Sequence, residues 1–211
     1  MTDVKICGLS TPDTLTAAIE GGASFVGFVF HPKSPRHVSL EVAAYLASYV
    51  PAHVRKVGLF VDPTDELLQQ TLDAVRLDML QLHGSESPGR VMEIKHQFGV
   101  PVMKAISVAS ADDLAMVPGF EVAADWLLFD AKGTPDMPGG NGLPFDWTLL
   151  KDFASSRPWM LAGGLTPDNV AQALAVLDPD AVDVSSGVES APGIKDEGKI
   201  RAFLKACADA A

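Results

Sequence analysis

The sequence predicts a single (β/α)8 barrel over residues 1–211, and three observations carry the prediction. Eight short apolar segments recur along the chain, amphipathic segments separate them, and no linker interrupts the rhythm. Alternation of this kind specifies a parallel sheet with crossover helices. Eight units of roughly 26 residues suit a compact closed barrel. A doubly wound open sheet is the competing architecture, but no dinucleotide glycine fingerprint follows the first strand segment.

The predicted strands are residues 4–8, 25–30, 56–61, 79–83, 102–106, 126–130, 159–163 and 181–185. Each is rich in branched, aromatic or long aliphatic side chains, as strands covered on both faces require. The helices announce themselves by their caps. Thr11-Pro12-Asp13, Ser39-Leu40-Glu41, Thr64-Asp65-Glu66 and Thr166-Pro167-Asp168 each place a hydroxyl at the cap, followed by proline or acid in the first turn. Two stretches break the rhythm, 30–37 after the second strand and 131–144 after the sixth. Both follow the C-terminal end of a strand, the side on which barrel loops carry function. The second is too rich in glycine and proline to pack as core and reads as a lid.

Composition narrows the partners. With 27 acidic and 16 basic residues the net charge is −11, so the chain repels nucleic-acid backbones and anionic lipid. The N-terminal residues lack the cationic and apolar regions of a signal peptide, and no apolar run approaches membrane-spanning length. A cytoplasmic protein with no membrane partner is expected. Two cysteines, Cys7 and Cys207, do not make a disulfide framework and read as free thiols. The five histidines have no zinc-like spacing, so no metal site is expected.

The chemistry-bearing residues fall at strand ends. Cys7 ends the first strand, where a barrel mouth would lie, and is a candidate acid or base. The seventh strand runs into Gly163-Gly164 and the eighth into Ser185-Ser186-Gly187. Glycines let backbone N–H groups approach an anion and a following helix start adds positive potential, so Gly164, Ser186 and Gly187 form a candidate phosphate grip. Either glycine alone would read equally as a tight turn. Asp130 closes the sixth strand, and three strand places separate it from Cys7, which puts an acid and a base on opposite sides of a phosphate-held ligand. Arg36, in the loop after strand two, is placed to take a carboxylate at the ligand's far end. His83 ends strand four and either faces the ligand or serves as a structural hydrogen-bonding group. Period-two alternation turns Lys5 and Cys7 to one side of their strand and Asp183 and Ser185 to one side of theirs. If that side is the barrel interior, Lys5 and Asp183 pair one layer below the site.

Taken together, Lys5-Ile6-Cys7-Gly8, Ser34-Pro35-Arg36, Gln81-Leu82-His83-Gly84, Leu128-Phe129-Asp130, Leu161 to Leu165 with Pro167 and Asn169-Val170, and Asp183 to Glu189 with Pro192-Gly193 and Lys195-Asp196 resemble the phosphoribosylanthranilate isomerase family of tryptophan biosynthesis. The resemblance spans the chain in order. It implies an Amadori rearrangement of a small phosphosugar, with Asp130 as general acid and Cys7 as general base, and with Arg36 on the anthranilate carboxylate. It also implies Gly164, Ser186 and Gly187 on the phosphate, and His83 and Asp183 near the ligand. No metal or organic cofactor enters this chemistry, a thiolate near neutral pH would serve as base, and the enzyme would act as a monomer or homodimer. Leu9-Ser10 departs from the threonine expected after the Cys7-Gly8 pair, which touches only the first helix cap. Two other readings remain open at the level of sequence. One is a broader isomerase that also serves histidine biosynthesis; the other is a non-catalytic phosphosugar-binding barrel.

Overall fold

The computed structural model describes residues 2–131, 146–151 and 153–210. Its strands are β1 (Asp3–Cys7), β2 (Phe25–Val29), β3 (Arg55–Phe60), β4 (Met79–Leu82), β5 (Val102–Val108), β6 (Trp126–Ala131), β7 (Trp159–Leu161) and β8 (Ala181–Val184). All eight are parallel and pair in chain order, and β1 closes the barrel by pairing with both β2 and β8. The predicted strand ends agree to within about two residues, the usual scatter of such boundaries.

Hydroxyl caps start the first four helices, the first three of them where the sequence predicts. Thr11, Ser39 and Thr64 accept from the third residue beyond them and open α1 (Pro12–Glu20), α2 (Leu40–Ala47) and α3 (Asp65–Ala74). Ser87 does the same for α4 (Pro88–Phe98), whose C-terminus stops at Gly99 in the left-handed region. A 3-10 turn leads into α5 (Val117–Ala123), and 3-10 turns also occur at Trp147–Leu150 and Ser186–Val188. The helix expected from Thr166 begins later, as α6 (Val170–Leu174). Asn169 is the reason: its side chain accepts from the Thr166 N–H at 2.7 Å and donates to the Gly164 carbonyl at 2.9 Å, holding residues 164–169 as a turn. A small hairpin, β9 (Glu189–Ala191) and β10 (Ile194–Lys195), precedes α7 (Glu197–Asp209). The expected lid at residues 131–144 lies outside the described residues apart from Ala131, which extends β6.

Two apolar layers result. Outward-facing strand residues meet the helices in one large core that includes Ile6, Phe28, Phe60, Leu82, Phe129, Val184 and Phe203. Inward-facing residues Phe25, Val57, Met79, Met103, Leu128, Met160 and Ala181 fill the barrel. Continuing the inward rows by two residues toward the strand C-termini leads from Met79 to Gln81, from Leu128 to Asp130 and from Ala181 to Asp183. The barrel interior thus changes from apolar to polar along its axis. Among the described residues no helix is long and apolar enough to cross a membrane.

On α7 the buried residues Ile200, Phe203, Leu204 and Cys207 repeat at helical spacing, and burial pushes the Cys207 thiol up to about 12. A raised thiol carries no penalty below its ordinary value of 9.0 and a growing one as pH climbs from there toward about 12. The stability advantage of the parent over Cys207→Ala should therefore shrink by about 2 kcal/mol between pH 8 and pH 10.5. Urea melts of both proteins at the two pH values check this, and an unchanged difference would refute it.

Candidate active site

Barrel closure builds the site from the floor upward. Pairing of β1 with β8 sets Lys5 level with Asp183, and Lys5 Nζ lies 2.8 Å from Asp183 Oδ1. The expected charge pair inside the barrel is present, with Lys5 wholly buried. Burial opposes the Lys5 charge, but the Asp183 carboxylate and neighbouring Cys7 outweigh it and hold the ammonium above the ordinary lysine range.

Cys7 stands two residues further along β1, paired with Gly27 of β2. Its backbone carbonyl accepts from Ser185 Oγ at 3.1 Å, tying the end of β1 to the loop after β8. The thiol is buried, and burial raises it above the ordinary range despite the opposing pull of Lys5; Asp183 adds to the rise. Burial therefore weighs against the thiolate that the family resemblance implies near neutral pH.

Asp130, at the end of β6 and also buried, faces His83. His83 Nε2 lies 3.2 Å from Asp130 Oδ2 but off-line, so it forms no hydrogen bond there, while Nδ1 meets Gln81 Nε2 at 3.1 Å. Among the described residues Gln81 Oε1 is buried without a partner as well. Buried polar atoms left unsatisfied cost on the order of 1–3 kcal/mol each, so these two, on adjoining side chains, invite a further hydrogen-bonding partner.

Asp130 and Asp183 line one cleft together with Gly163, Gly164, Ser185 and Ser186. The loops after β7 and β8 touch closely at Gly187, where an added Cβ would fall 1.9 Å from the Leu165 carbonyl oxygen. Gly187 is therefore demanded by loop-to-loop packing as much as by any ligand. Among the described residues no hydrogen bond takes up the backbone N–H groups of Gly164, Ser186 or Gly187. Of these three residues, Gly164 and Ser186 line the cleft with Asp130 and Asp183.

Arg36 lies on the other side of Cys7. Its aliphatic stem crosses the end of β1 so closely that a Cβ on Gly8 would come within 2.9 Å of Arg36 Cδ. The guanidinium is not a free loop group: Nε and Nη2 donate to Glu189 Oε1 and Oε2 at 2.7 and 2.9 Å. The fork expected to hold a ligand is thus already taken along one edge, leaving Nη1 for other partners.

The structure gathers Asp130, Gly164, Asp183 and Ser186 around one cleft, with Gly187 in the loop behind it, His83 against Asp130, and Cys7 linked to the cleft through Lys5 and Asp183. Arg36 stands apart with Glu189. Glu189, Lys195 and Gln81 were given no role by sequence reasoning. Pro192-Gly193 was the available signal for the first two, since a tight turn there folds the chain back and pairs Lys195 with Glu189. Titrating thiolate absorbance near 240 nm should show no Cys7 thiolate at pH 7.5 and its appearance only above 9.0, with that component missing in Cys7→Ala. A thiolate already present at neutral pH would contradict the burial argument.

Residues 4–206 match the family model described as N-(5'phosphoribosyl)anthranilate (PRA) isomerase. The N-(5'-phosphoribosyl)anthranilate isomerase of Rhodopseudomonas palustris strain HaA2 is 55% identical, with 96% of this chain and 94% of that protein covered. That of Paracoccus denitrificans is also 55% identical, over 95% of this chain and 94% of its own. Among solved structures, phosphoribosyl anthranilate isomerase from Thermotoga maritima superposes with a TM-score of 0.90 at 37% identity, covering 99% of this chain and 100% of that one. Another, in complex with reduced 1-(o-carboxyphenylamino)-1-deoxyribulose 5-phosphate, gives a TM-score of 0.86 at 35% identity, covering 99% and 100%. With its closed barrel, its polar mouth and matches of this extent, the chain belongs to the phosphoribosylanthranilate isomerase family.

Proposed function

We propose that the chain catalyses the Amadori rearrangement of N-(5-phospho-β-D-ribosyl)anthranilate to 1-(2-carboxyphenylamino)-1-deoxy-D-ribulose 5-phosphate in tryptophan biosynthesis. The observation that carries the reading is the cleft in which the buried Asp130 carboxyl shares walls with the Gly164 and Ser186 loops, one buried ion pair away from Cys7. In this reading the substrate phosphate is held by backbone donors of Gly164, Ser186 and Gly187. Its ribose then extends across Asp183 toward Cys7.

Asp130 acts as general acid and gives its proton to the furanose ring oxygen. The bond from that oxygen to C1′ breaks, the ring opens, and the nitrogen lone pair forms a C1′ iminium. The cation acidifies the C2′ hydrogen, and the Cys7 thiolate removes it as general base to leave an enolamine. Tautomerisation places a proton on C1′ and the carbonyl at C2′. Each positioned proton transfer contributes typically ~10²- to 10⁴-fold. His83 supports the acid by facing its carboxyl. The reaction is intramolecular and balances without any cofactor.

Burial of the thiol fixes the sign of the pH dependence. Only the deprotonated fraction can accept the C2′ proton, so the rate rises with pH as that fraction grows toward the raised thiol value. Substrate charge acts in the same place, because the iminium is a cation formed next to the thiol and favours its ionised form.

At the far end, Arg36 receives the anthranilate carboxylate through Nη1, the guanidinium nitrogen that Glu189 leaves free. One similar structure describes monomers generated from a dimeric Thermotoga maritima enzyme. We read this chain likewise as working as a monomer or homodimer in the cytoplasm.

Turnover followed by anthranilate fluorescence tests the whole reading, and absence of turnover in the purified chain would end it. Cys7→Ala and Asp130→Asn should each lower kcat by at least about 10²-fold while product-analogue binding survives, because both groups act in the transition state. Retention of full kcat by either variant rules out its assigned role. Arg36→Met should weaken the carboxylated substrate far more than inorganic phosphate, measured by calorimetry; equal losses would remove the carboxylate assignment.

A further inference from the structure

We propose that Glu189 is a positioning residue for substrate recognition: it grips one edge of the Arg36 guanidinium and so aims the other edge at the substrate carboxylate. The inference rests on the reading of Arg36 given above and adds a second residue to it.

The carboxylate of Glu189 is saturated. Oε1 accepts from Arg36 Nε at 2.7 Å and from Lys195 Nζ at 2.6 Å, while Oε2 accepts from Arg36 Nη2 at 2.9 Å and from the Gly193 N–H at 3.2 Å. Its backbone is held too, since Lys199 Nζ donates to the Glu189 carbonyl at 2.6 Å. A side chain held by this many bonds cannot follow a flexible partner. Arg36 must instead adopt the orientation that Glu189 dictates. The two-point fork fixes the guanidinium plane as well as its position, which a single contact would not do.

Charge supplies the second argument. The Arg36, Glu189 and Lys195 side chains are 8%, 5% and 1% exposed, so the cluster is a nearly dry group of two cations and one anion. Burial weighs against the Glu189 charge, but the Arg36 hydrogen bonds and Lys195 outweigh it and hold the carboxyl below the ordinary range. Burial pulls the Lys195 ammonium below the ordinary lysine range against the attraction of Glu189, and two cations sharing one carboxylate leave excess positive charge where water screens poorly. An incoming carboxylate would balance it. Nη1 of Arg36 has no hydrogen-bond partner among the described residues, and the stem of Arg36 lies over Gly8, the residue after Cys7. The free donor thus belongs to the same buried cluster as the excess charge, on a side chain whose stem packs over the end of β1.

A purely structural staple between the loops after β2 and β8 would share the same bonds, so the test must read selectivity as well as stability. Two ligands serve as probes: the reduced product analogue 1-(o-carboxyphenylamino)-1-deoxyribulose 5-phosphate, and its counterpart without the carboxyl group. Calorimetry with Glu189→Gln should show affinity for the first falling roughly tenfold or more, the scale typical when the orienting partner of a functional group is lost. Affinity for the second, and for inorganic phosphate, should stay near the parent values. In steady state the same variant should raise KM by more than it lowers kcat. In an Arg36→Met background the added effect of Glu189→Gln should vanish.

Equal weakening of both analogues by Glu189→Gln would make the residue a staple and overturn the proposal. If Arg36→Met itself fails to distinguish the analogues, the carboxylate role of Arg36 falls and the proposal with it. If Arg36→Met distinguishes them and Glu189→Gln does not, only the positioning role is lost. Glu189→Asp covers the case of a poorly folded amide variant: it keeps the charge but withdraws the fork, and should show the same selective loss at smaller size.

Discussion

Lys5 has no exposed surface, and it projects into a barrel otherwise filled by Phe25, Met79, Leu128 and Met160. An ammonium in such a place is tolerable only beside a carboxylate at hydrogen-bond distance, because the desolvation penalty of an unpaired ion is several kcal/mol. Asp183 supplies it from a position 178 residues away in the chain. That partnership exists only when β8 comes round to pair with β1. Barrel closure and charge satisfaction are thus one event. A doubly wound order of the same strands would set β4 rather than β8 beside β1 and so separate the two ions, which is a physical reason against that alternative for this sequence. Replacing either partner alone would cost about 3–5 kcal/mol, the range for breaking a buried pair.

The same pair also organises the mouth. Lys5 sits below Cys7 and Asp183 lines the cleft shared with Asp130, so one buried bond connects the thiol to the wall on which a ligand would lie. Lys5 favours the thiolate, Asp183 disfavours it, and burial disfavours it most. The balance disfavours the thiolate, so under the proposed mechanism the positive charge that the substrate develops would help to ionise this thiol.

How far the sequence revealed this depends on the kind of interaction. The eight strands were legible because each is a short run of branched and aromatic residues, and the first three helices because Thr11, Ser39 and Thr64 cap them through local bonds. The Lys5 pairing was legible because period two fixes direction on each strand. The late start of α6 was not, because Asn169 outcompetes Thr166 through two bonds, one to the Gly164 carbonyl, that only the folded turn offers. The engagement of Arg36 by Glu189 was hidden for a different reason. Their positions are 153 apart, and nothing in local pattern says which carboxylate a loop arginine will meet. Candidates placed by strand-end position were therefore accessible to sequence reading, whereas contacts defined by a long-range side-chain partner were not.

Charge is distributed against the overall sign of the molecule. The chain as a whole carries −11, yet the proposed substrate is an anion with a phosphate at one end and a carboxylate at the other. Surface charges are screened over about 8 Å at physiological ionic strength, so the global repulsion fades at the mouth. Inside, screening is weak and the local count decides. Lys5 is balanced by Asp183, but Arg36 and Lys195 share the single carboxylate of Glu189, and the cleft between the β7 and β8 loops presents backbone donors. The excess positive charge lies where a carboxylate would arrive, and the unclaimed N–H groups lie where a phosphate would. Under the proposed reading the two anionic ends meet two chemically different receivers, a charged fork held by Glu189 and a backbone cradle. A ligand spanning both would bind in one direction, the one that the proposed roles of Asp130 and Cys7 require.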